Sequence, residues 1–252
     1  MKPAAGVDQK PDFYRVERRD DLAILRLGKN FLFEAIKRAL HNPLLNVFDD
    51  ISKNDGVKVL AIINCAEKTG CDDYICFCRQ AVTTEFDCQS IHRMCNFFDQ
   101  LILKIFGLNK IVVHADCGEI IPLFFYLSLA CDYRIIATHT LYLNPYFKEG
   151  LLPKGGGTFF LCSMLGYERT RKLLMSDQSL SAYEALELGI VDQVVPQKQL
   201  EETAVQIARN FAAKPTRALA TLKRLIGYSM KDLKDYLNFE NKEIMRLIRA
   251  PS

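Results

Sequence analysis

Compact apolar segments alternate with amphipathic segments through the first half of the chain, and this alternation constrains the fold more than any other feature. Residues 33–50 and 90–106 have apolar positions at spacings of three and four, which predicts helices. Residues 57–63, 110–115 and 133–137 are short apolar runs of strand length. Strands that alternate with helices imply parallel βαβ units, so the sequence predicts an α/β fold.

The two ends of the chain depart from this pattern. Residues 13–27 alternate charged and apolar positions, which predicts a hairpin that turns at Arg19-Asp20-Asp21. Beyond Gly155 the pattern predicts helices, including one long helix over residues 215–249, with residues 190–195 as the one short extended piece.

The same pattern divides the chain into two regions. We expect a core region over residues 11–195 and a helical C-terminal region over residues 196–252. No Gly/Ser-rich linker separates them, so the boundary is a change of role within one structure.

Composition excludes several classes of function. The 33 basic and 30 acidic residues give a formal charge of +3 without long runs of one sign, so nucleic acid is not an expected partner. Nine irregularly spaced cysteines in 252 residues indicate thiols rather than a disulfide framework, and no C-x-x-C pair suggests a metal site. No apolar run approaches bilayer length and the N-terminus lacks the apolar core of a signal peptide. We expect a cytosolic protein that does not associate with membranes.

Several motifs occur in an order that is typical of one family. Residues 180–196, LSAYEALELGIVDQVVP, carry the most specific pattern. Gly118, Ala130-Cys131-Asp132 and residues 150–158 precede it, and Ala212-Ala213-Lys214-Pro215 follows it, with Leu222-Lys223-Arg224 beyond. On these motifs the chain resembles the crotonase, or enoyl-CoA hydratase/isomerase, superfamily over nearly its whole length.

This resemblance implies a fold, an assembly and a kind of chemistry. The fold would be a spiral of ββα units with a helical C-terminal trimerisation region, assembled as a homotrimer or a dimer of trimers. The substrate would be an acyl thioester of coenzyme A or of an acyl-carrier protein, with no permanently bound cofactor. Two backbone N–H groups would stabilise an enolate-like anion, because preformed dipoles lower the barrier to charge development.

The resemblance assigns the two N–H donors by position. One is Leu123, in a Pro122-Leu123-Phe124 turn that replaces the family's glycine-rich turn; alternatively, these bulky residues close the site. The other is Asp72 or a neighbour. The Asp72-Asp73 pair would also suit a general base with a raised pKa in a closed cleft, or it caps the following helix.

The catalytic acids of the family's hydratases are replaced in this sequence. The resemblance places their two glutamates at Tyr126 and Tyr146, and a tyrosine is a poor base at neutral pH, although it can donate a proton. Lys154 stands where some isomerases of the family carry a single acid. Tyr126 is alternatively a core residue, and Lys154 alternatively points to solvent.

Three cations are candidates for contact with coenzyme A. They are Lys29 after the hairpin and Lys223 and Arg224 in the C-terminal region, which often approaches the coenzyme phosphates in the family. Each is alternatively an ordinary surface charge.

Three functions remain open from the sequence. The leading hypothesis is a thioester enzyme that acts through an enolate, with isomerisation, decarboxylation or C–C hydrolysis favoured over hydration. The second is a non-catalytic crotonase-fold protein for binding or assembly. The third is a hydratase with displaced acids such as Asp72 and Glu149.

Overall fold

The computed structural model describes residues 13–28, 31–36, 38–64, 70–82, 87–146, 150, 152–176 and 178–249. Within them the strands are β1 (Tyr14–Arg19), β2 (Leu22–Leu27), β3 (Val59–Asn64), β4 (Ile111–Asp116), β5 (Glu119–Ile120), β6 (Tyr133–Ala137), β7 (Leu141–Tyr142), β8 (Leu180–Ser181) and β9 (Gln193–Val195). The helices are α1 (Phe31–Ile36), α2 (Arg38–Lys53), α3 (Cys71–Val82), α4 (Cys88–Phe106), α5 (Pro122–Leu129), α6 (Gly157–Leu165), α7 (Tyr167–Leu174), α8 (Ala182–Glu187), α9 (Gln197–Ala212), α10 (Thr216–Gly227) and α11 (Leu233–Arg249).

Six strands form the main sheet, in the order β1-β2-β3-β4-β6-β9. The predicted hairpin is confirmed: β1 and β2 are antiparallel and are joined by a turn in which Asp20 has a φ of 55°. From β2 to β9 neighbouring strands are parallel. The predicted α/β fold with parallel βαβ units is therefore confirmed.

Both faces of the main sheet are covered, which explains why its central strands are continuous apolar runs. Every residue of β3 and β4 is buried. On one face α9 packs with Leu200, Ala204 and Ala208, whose spacing of four residues places them on a single stripe. The helices α4 and α5 contribute to the larger core.

Two features differ from the sequence-based expectation. The prediction of one helix over residues 215–249 is wrong, because α10 ends at Gly227 and a short 3₁₀ turn (Tyr228–Met230) precedes α11. This break allows α11 to pack against α4. The sheet β5-β7-β8 was not predicted, since two-residue strands are too short to show a period.

The proposed division near residue 195 coincides with the end of β9. The next helix, α9, nevertheless packs on the main sheet. The division into two regions stays a prediction.

Candidate active site

Two helices begin beyond the same edge of the main sheet. Because β3 and β4 are parallel and Asn64 pairs with Asp116, their carboxyl ends meet at one edge. The helix α3 follows β3, and α5 follows β4 after the short strand β5. The first turn of a helix carries N–H groups without partners inside the helix, and its dipole favours negative charge there. This edge is therefore suited to bind an anion.

Leu123 presents such an N–H group. It is the second residue of α5, after Pro122, which has no N–H to donate. The N–H groups of Phe124 and Phe125 both donate to the carbonyl of Ile121, at 3.1 Å each. Within the described part of the chain, the N–H of Leu123 has no hydrogen-bond partner. The geometry at Leu123 thus suits the predicted donor role.

Asp72 occupies the equivalent second position of α3. The helix starts with a hydrogen bond from the N–H of Tyr74 to the carbonyl of Gly70, at 3.1 Å. The side chain of Asp72 is exposed and that of Asp73 is half-buried. This exposure disfavours the general-base interpretation, which required a closed cleft, and leaves the backbone N–H of Asp72 as the predicted donor.

An apolar cavity of about 70 Å³ adjoins the starts of these helices. It lies between α1, α3, α4, α5, α11 and the loop before α6, and most of its lining side chains are aliphatic or aromatic. The lining residues are Leu32, Tyr74, Phe77, Ile91, Met94, Cys95, Phe98, Leu123, Leu152, Lys154, Ile244, Leu247 and Ile248. A thioester oxygen bound at Leu123 would have its acyl chain beside this apolar wall.

Among the described residues, Lys154 is the one lysine that borders the cavity, and its ammonium group bonds to two buried carboxylates. Its Nζ donates to Asp99 and, at 3.1 Å, to Oε2 of Glu240. The side chains of Lys154, Asp99 and Glu240 are 12%, 8% and 5% exposed. The alternative that Lys154 points to solvent is therefore wrong: it belongs to a buried ion-pair cluster, here called the Lys154 cluster and defined by these three residues.

Backbone and amide groups complete the hydrogen bonding of the Lys154 cluster. The N–H groups of Gly155 and Gly156 donate to Glu240, at 2.9 and 3.0 Å. The Nδ2 of Asn241 donates to Oδ2 of Asp99 at 2.5 Å. Glu240 thereby ties α11 to the loop that carries Lys154.

The pKa values in the Lys154 cluster shift because the groups are buried and face one another. Burial raises the pKa of Asp99, and the ammonium of Lys154 offsets only part of this rise. The pKa of Glu240 is raised for the same reason. Burial alone would lower the pKa of Lys154, but the carboxylates of Glu240 and Asp99 outweigh it, and the pKa is raised. Lys154 therefore remains an ammonium group at neutral pH.

The two tyrosines that replace the hydratase glutamates lie in the core. Tyr126 and Tyr146 are each 2% exposed, and their rings stack with centroids 6.1 Å apart. Burial raises the pKa of both phenols above the ordinary value. Neither ring borders the apolar cavity. These positions agree with the core alternative for Tyr126 and place Tyr146 in the core as well.

The three predicted coenzyme contacts lie apart from this edge or cannot be placed. Lys29 lies outside the described residues, as does Glu149. The Nζ of Lys223 donates to Asp132 at 2.7 Å and to the carbonyls of Ile105 and Lys110. These contacts favour a structural role for Lys223.

Arg224 borders a separate polar pocket near the amino-terminal edge of β3 and β4. Within one chain it lies at the opposite edge from Leu123, because Lys58 and Lys110, which precede these strands, line the same pocket. Its predicted contact with coenzyme A stays a prediction.

Asp99 and Glu240 were not predicted as site residues from the sequence. Each is a carboxylate on an otherwise apolar helix face: Asp99 follows Ile91 and Cys95 at spacings of four, and Glu240 precedes Ile244 by four. A carboxylate within such an apolar stripe was the signal in the sequence that could have indicated a buried, paired charge.

The described residues contain no group of three or more His, Cys, Asp or Glu suited to a metal ion. Of the helices in these ranges, none combines the length and apolarity needed to cross a membrane.

A mainly parallel sheet with two helix starts beside an apolar cavity agrees with the crotonase-like α/β fold that the motifs imply. Residues 18–247 match the model of the enoyl-CoA hydratase/isomerase family. The chain belongs to this family, and the predicted membership of the crotonase superfamily is confirmed.

Relatives agree with this assignment. The chain is 24% identical to the trans-2-decenoyl-[acyl-carrier-protein] isomerase of Streptococcus mutans over 223 residues, which are 88% of this chain and 84% of that protein. It is 34% identical to the 1,2-epoxyphenylacetyl-CoA isomerase of Escherichia coli over 131 residues, 52% of this chain and 50% of that one. The structure of an enoyl-CoA hydratase from Bacillus halodurans matches with a TM-score of 0.82 and 20% identity, over 94% of this chain and 96% of that chain.

Proposed function

We propose that this chain processes an acyl thioester, of coenzyme A or of an acyl-carrier protein, by stabilising the enolate of its carbonyl group. The observation that carries the proposal is the N–H of Leu123, which lies in the first turn of α5 beside an apolar cavity. The N–H of Asp72 lies in the first turn of the neighbouring helix, α3, and would be the second donor. Donors of this kind act on charge that develops during reaction.

Isomerisation, decarboxylation or C–C hydrolysis suits the site better than hydration. Hydration needs groups that handle both a water molecule and a proton, and the two predicted glutamate positions hold buried tyrosines. Two relatives are named as isomerases, one of an acyl-carrier-protein thioester and one of a coenzyme A thioester. Lys154 would handle the proton, since it borders the cavity; Tyr126 and Tyr146 remain candidates that the same experiment tests.

The experiment is turnover of a thioester panel, each acyl group offered on coenzyme A and on carrier protein. The panel contains 2-enoyl, 3-enoyl, malonyl-type and β-keto thioesters. We expect conversion of at least one class and no hydration of crotonyl-CoA at an ordinary enzymatic rate. Such hydration would instead establish the hydratase hypothesis with displaced acids.

Variants assign the roles within the proposal. Lys154→Ala should abolish turnover, whereas unchanged turnover would remove Lys154 from the mechanism. Tyr146→Phe keeps the ring and removes the hydroxyl, so unchanged turnover would exclude Tyr146 as a proton donor. Tyr126→Phe tests the other hydroxyl in the same way.

The second candidate is a binding or assembly subunit without catalysis. The buried, packed tyrosines at both glutamate positions favour it. Calorimetry with several acyl-CoA ligands separates the two candidates. Binding with turnover supports the enzyme, and no heat of binding at millimolar ligand supports the structural role.

We also propose the homotrimer, or dimer of trimers, that the family resemblance implies. Large apolar side chains are exposed on α10, the 3₁₀ turn and α11, which is typical of an interface. They are Leu222, Leu225, Ile226, Tyr228, Phe239 and Leu247. Light scattering after size exclusion measures the mass, and a monomer at micromolar concentration would contradict the proposal.

A further inference from the structure

A polar pocket lies at the edge of the main sheet opposite Leu123, between the residues that precede β3 and β4 and the start of α10. Its volume is about 540 Å³, within the range of roughly 300–1,000 Å³ that small-molecule sites occupy. Four of the side chains that line it are cationic: Lys58, Lys110, Arg217 and Arg224. It is here called the α10 pocket and is defined by these four residues.

Carboxylates compensate only part of the positive charge of the α10 pocket. Asp55 lines the same pocket, and Asp21 pairs with Lys58 at 3.3 Å. These two carboxylates against four cations leave an excess of two positive charges. Within the described ranges, neither Lys110 nor Arg217 is within ion-pairing distance of a carboxylate. The pocket is therefore suited to an anion.

Lys110 is the cation whose charge most lacks a partner. The residue is only 6% exposed. Among the described residues, its Nζ makes one hydrogen bond, 3.4 Å long, to the carbonyl of Asn54, which is next to Asp55 of the pocket lining. A buried charge without a counter-charge is unfavourable, because a neutral carbonyl does not replace the lost hydration. An anion in the α10 pocket would supply the missing charge.

The start of α10 adds backbone donors to the same pocket. Thr216 and Arg217 are the first two residues of the helix, and both line the pocket. Pro215 precedes them without a side-chain cap, and their N–H groups have no hydrogen-bond partner in the part of the chain that the structure describes. First-turn N–H groups and the helix dipole favour a bound phosphate group. These donors and the buried ammonium of Lys110 are independent features that suit the same ligand.

The cations of α10 and the apolar residues proposed for the oligomer interface lie on different faces of the helix. Arg217 and Arg224 are seven residues apart, which is two turns, so they share one face. Leu222 and Ile226 are exposed and lie on the nearly opposite face. An interface through Leu222 and Ile226 would therefore leave the cations of α10 free to bind a ligand.

We propose that the α10 pocket is a second ligand site, which binds a phosphorylated small molecule independently of the thioester site. The cations and the first-turn N–H groups hold the phosphate group. The carboxylate of Asp55 and the hydroxyl of Thr216 line the pocket beside them and suit hydroxyl groups of the ligand. The described residues that line the pocket include no aromatic ring, so a nucleotide base has no ring to stack on. This favours a phosphorylated molecule without a base, and it does not depend on the proposed function.

Calorimetry at constant ionic strength measures the binding of inorganic pyrophosphate to the full chain. Arg217→Gln removes one exposed guanidinium from the pocket. Hydrogen bonds to charged groups are strong enough that we expect the Kd to rise by about tenfold or more. The matched control is Arg171→Gln, which makes the same change in net charge at an exposed site on α7 and should leave the Kd unchanged. No binding at millimolar pyrophosphate, or equal weakening in both variants, would overturn the proposal.

Lys110→Met tests the buried ammonium group. Methionine has a similar volume, and no carboxylate loses its partner, so the variant should keep the wild-type far-ultraviolet circular dichroism and stability. Its Kd for pyrophosphate should rise by about tenfold or more. Pyrophosphate should also raise the urea midpoint of the wild type much more than that of Lys110→Met. A large loss of stability in Lys110→Met, or wild-type affinity for pyrophosphate, would show that Lys110 does not serve the site and would overturn the proposal.

Competition distinguishes a free phosphorylated ligand from the phosphates of coenzyme A. In the presence of saturating hexanoyl-CoA, we expect pyrophosphate to bind with an unchanged Kd. Displacement of pyrophosphate by hexanoyl-CoA would show that the α10 pocket holds the coenzyme, and it would overturn the independent site. Absence of thioester turnover would overturn the proposed function and leave this site standing.

Discussion

The phenol ring of Tyr126 packs against the backbone of Gly157 so closely that a β-carbon on Gly157 would lie 2.3 Å from Cδ1 of the ring. No side-chain carbon fits at that distance. The third glycine of the Gly155-Gly156-Gly157 run is therefore required by the tyrosine that stands at the first glutamate position. The tyrosine that replaces this glutamate is thus packed into the core against Gly157.

Gly157→Ala should destabilise the protein because the added methyl group forces the Tyr126 ring to move. Overpacking of this kind typically costs about 1–3 kcal/mol in the free energy of unfolding. Urea unfolding measures the difference. Gly70→Ala is the control, since a β-carbon at Gly70 meets no atom of the described residues within 4 Å. Tyr126→Leu makes room for the methyl group, so the losses in the free energy of unfolding caused by Tyr126→Leu and Gly157→Ala should not add in the double variant. Additive losses would contradict the direct contact.

Lys154→Met should destabilise the protein more at pH 8 than at pH 5. It leaves the buried carboxylates of Asp99 and Glu240 without their ammonium partner, which typically costs about 3–5 kcal/mol. The pKa values of both carboxyls are already raised, so the folded state holds protons that the unfolded state has lost. Stability from these groups therefore falls as pH rises from the unfolded pKa, near 4, through the folded pKa. Without the ammonium of Lys154 the folded pKa values of both carboxyls rise further, so stability is lost over a wider pH interval.

Lys104→Met is the matched control for this measurement. Lys104 pairs with Asp49 at a half-exposed site, where ion pairs contribute about 1 kcal/mol or less. Its effect should be small and similar at both pH values. If Lys154→Met lowers the free energy of unfolding equally at pH 5 and pH 8, the interpretation of Asp99 and Glu240 as buried carboxylates that need this ammonium is contradicted.

Lys223→Met should lower stability far more than Arg224→Ala. Burial raises the pKa of Asp132, and Lys223 is its cationic partner at 2.7 Å. Removal of this partner leaves a buried carboxylate, at a cost of about 3 kcal/mol or more. Among the described residues, the side chain of Arg224 donates only to the hydroxyl of Thr221, at an exposed site. Urea unfolding distinguishes the two, and equal stability would contradict the structural role of Lys223.

Cys95 should react slowly with alkylating reagents and should be protected by a bound acyl-CoA. Burial raises the pKa of its thiol to about 11, and it lines the apolar cavity. At neutral pH the thiolate is the reactive form, so this pKa alone slows alkylation by about 100-fold. Cys76 and Cys88 are exposed and serve as internal controls. Mass spectrometry of timed N-ethylmaleimide reactions measures all three, and equal protection of Cys88 by ligand would exclude specific occupation of the cavity.

Periodicity predicted the elements that bury a continuous apolar face. The hairpin and the strands β3, β4 and β6 were predicted within one or two residues of their bounds, because their burial leaves a strong pattern. The break between α10 and α11 was missed, since amphipathic spacing continues through it and Gly227 was its only local mark. Contacts with α4, far away in sequence, determine where α11 lies.

The candidate site was predictable only where the backbone itself acts. Leu123 was predicted in the turn at Pro122-Leu123-Phe124, and it lies in the first turn of α5. Asp72 was predicted in a loop, but it is the second residue of α3. The donor role of both N–H groups stays a prediction. The partners of Lys154 were not predictable. Asp99 is 55 residues away and Glu240 is 86 residues away along the chain, and no local rule relates them.

The sequence by itself determined the α/β fold and the family, because apolar periodicity and motif order are local properties. Only the tertiary structure decided that Tyr126 lies against Gly157 and that Lys154 joins Asp99 and Glu240. These relationships depend on which helix faces meet in the core. They decide the chemistry of the site, since burial and neighbouring charge set the protonation of each group.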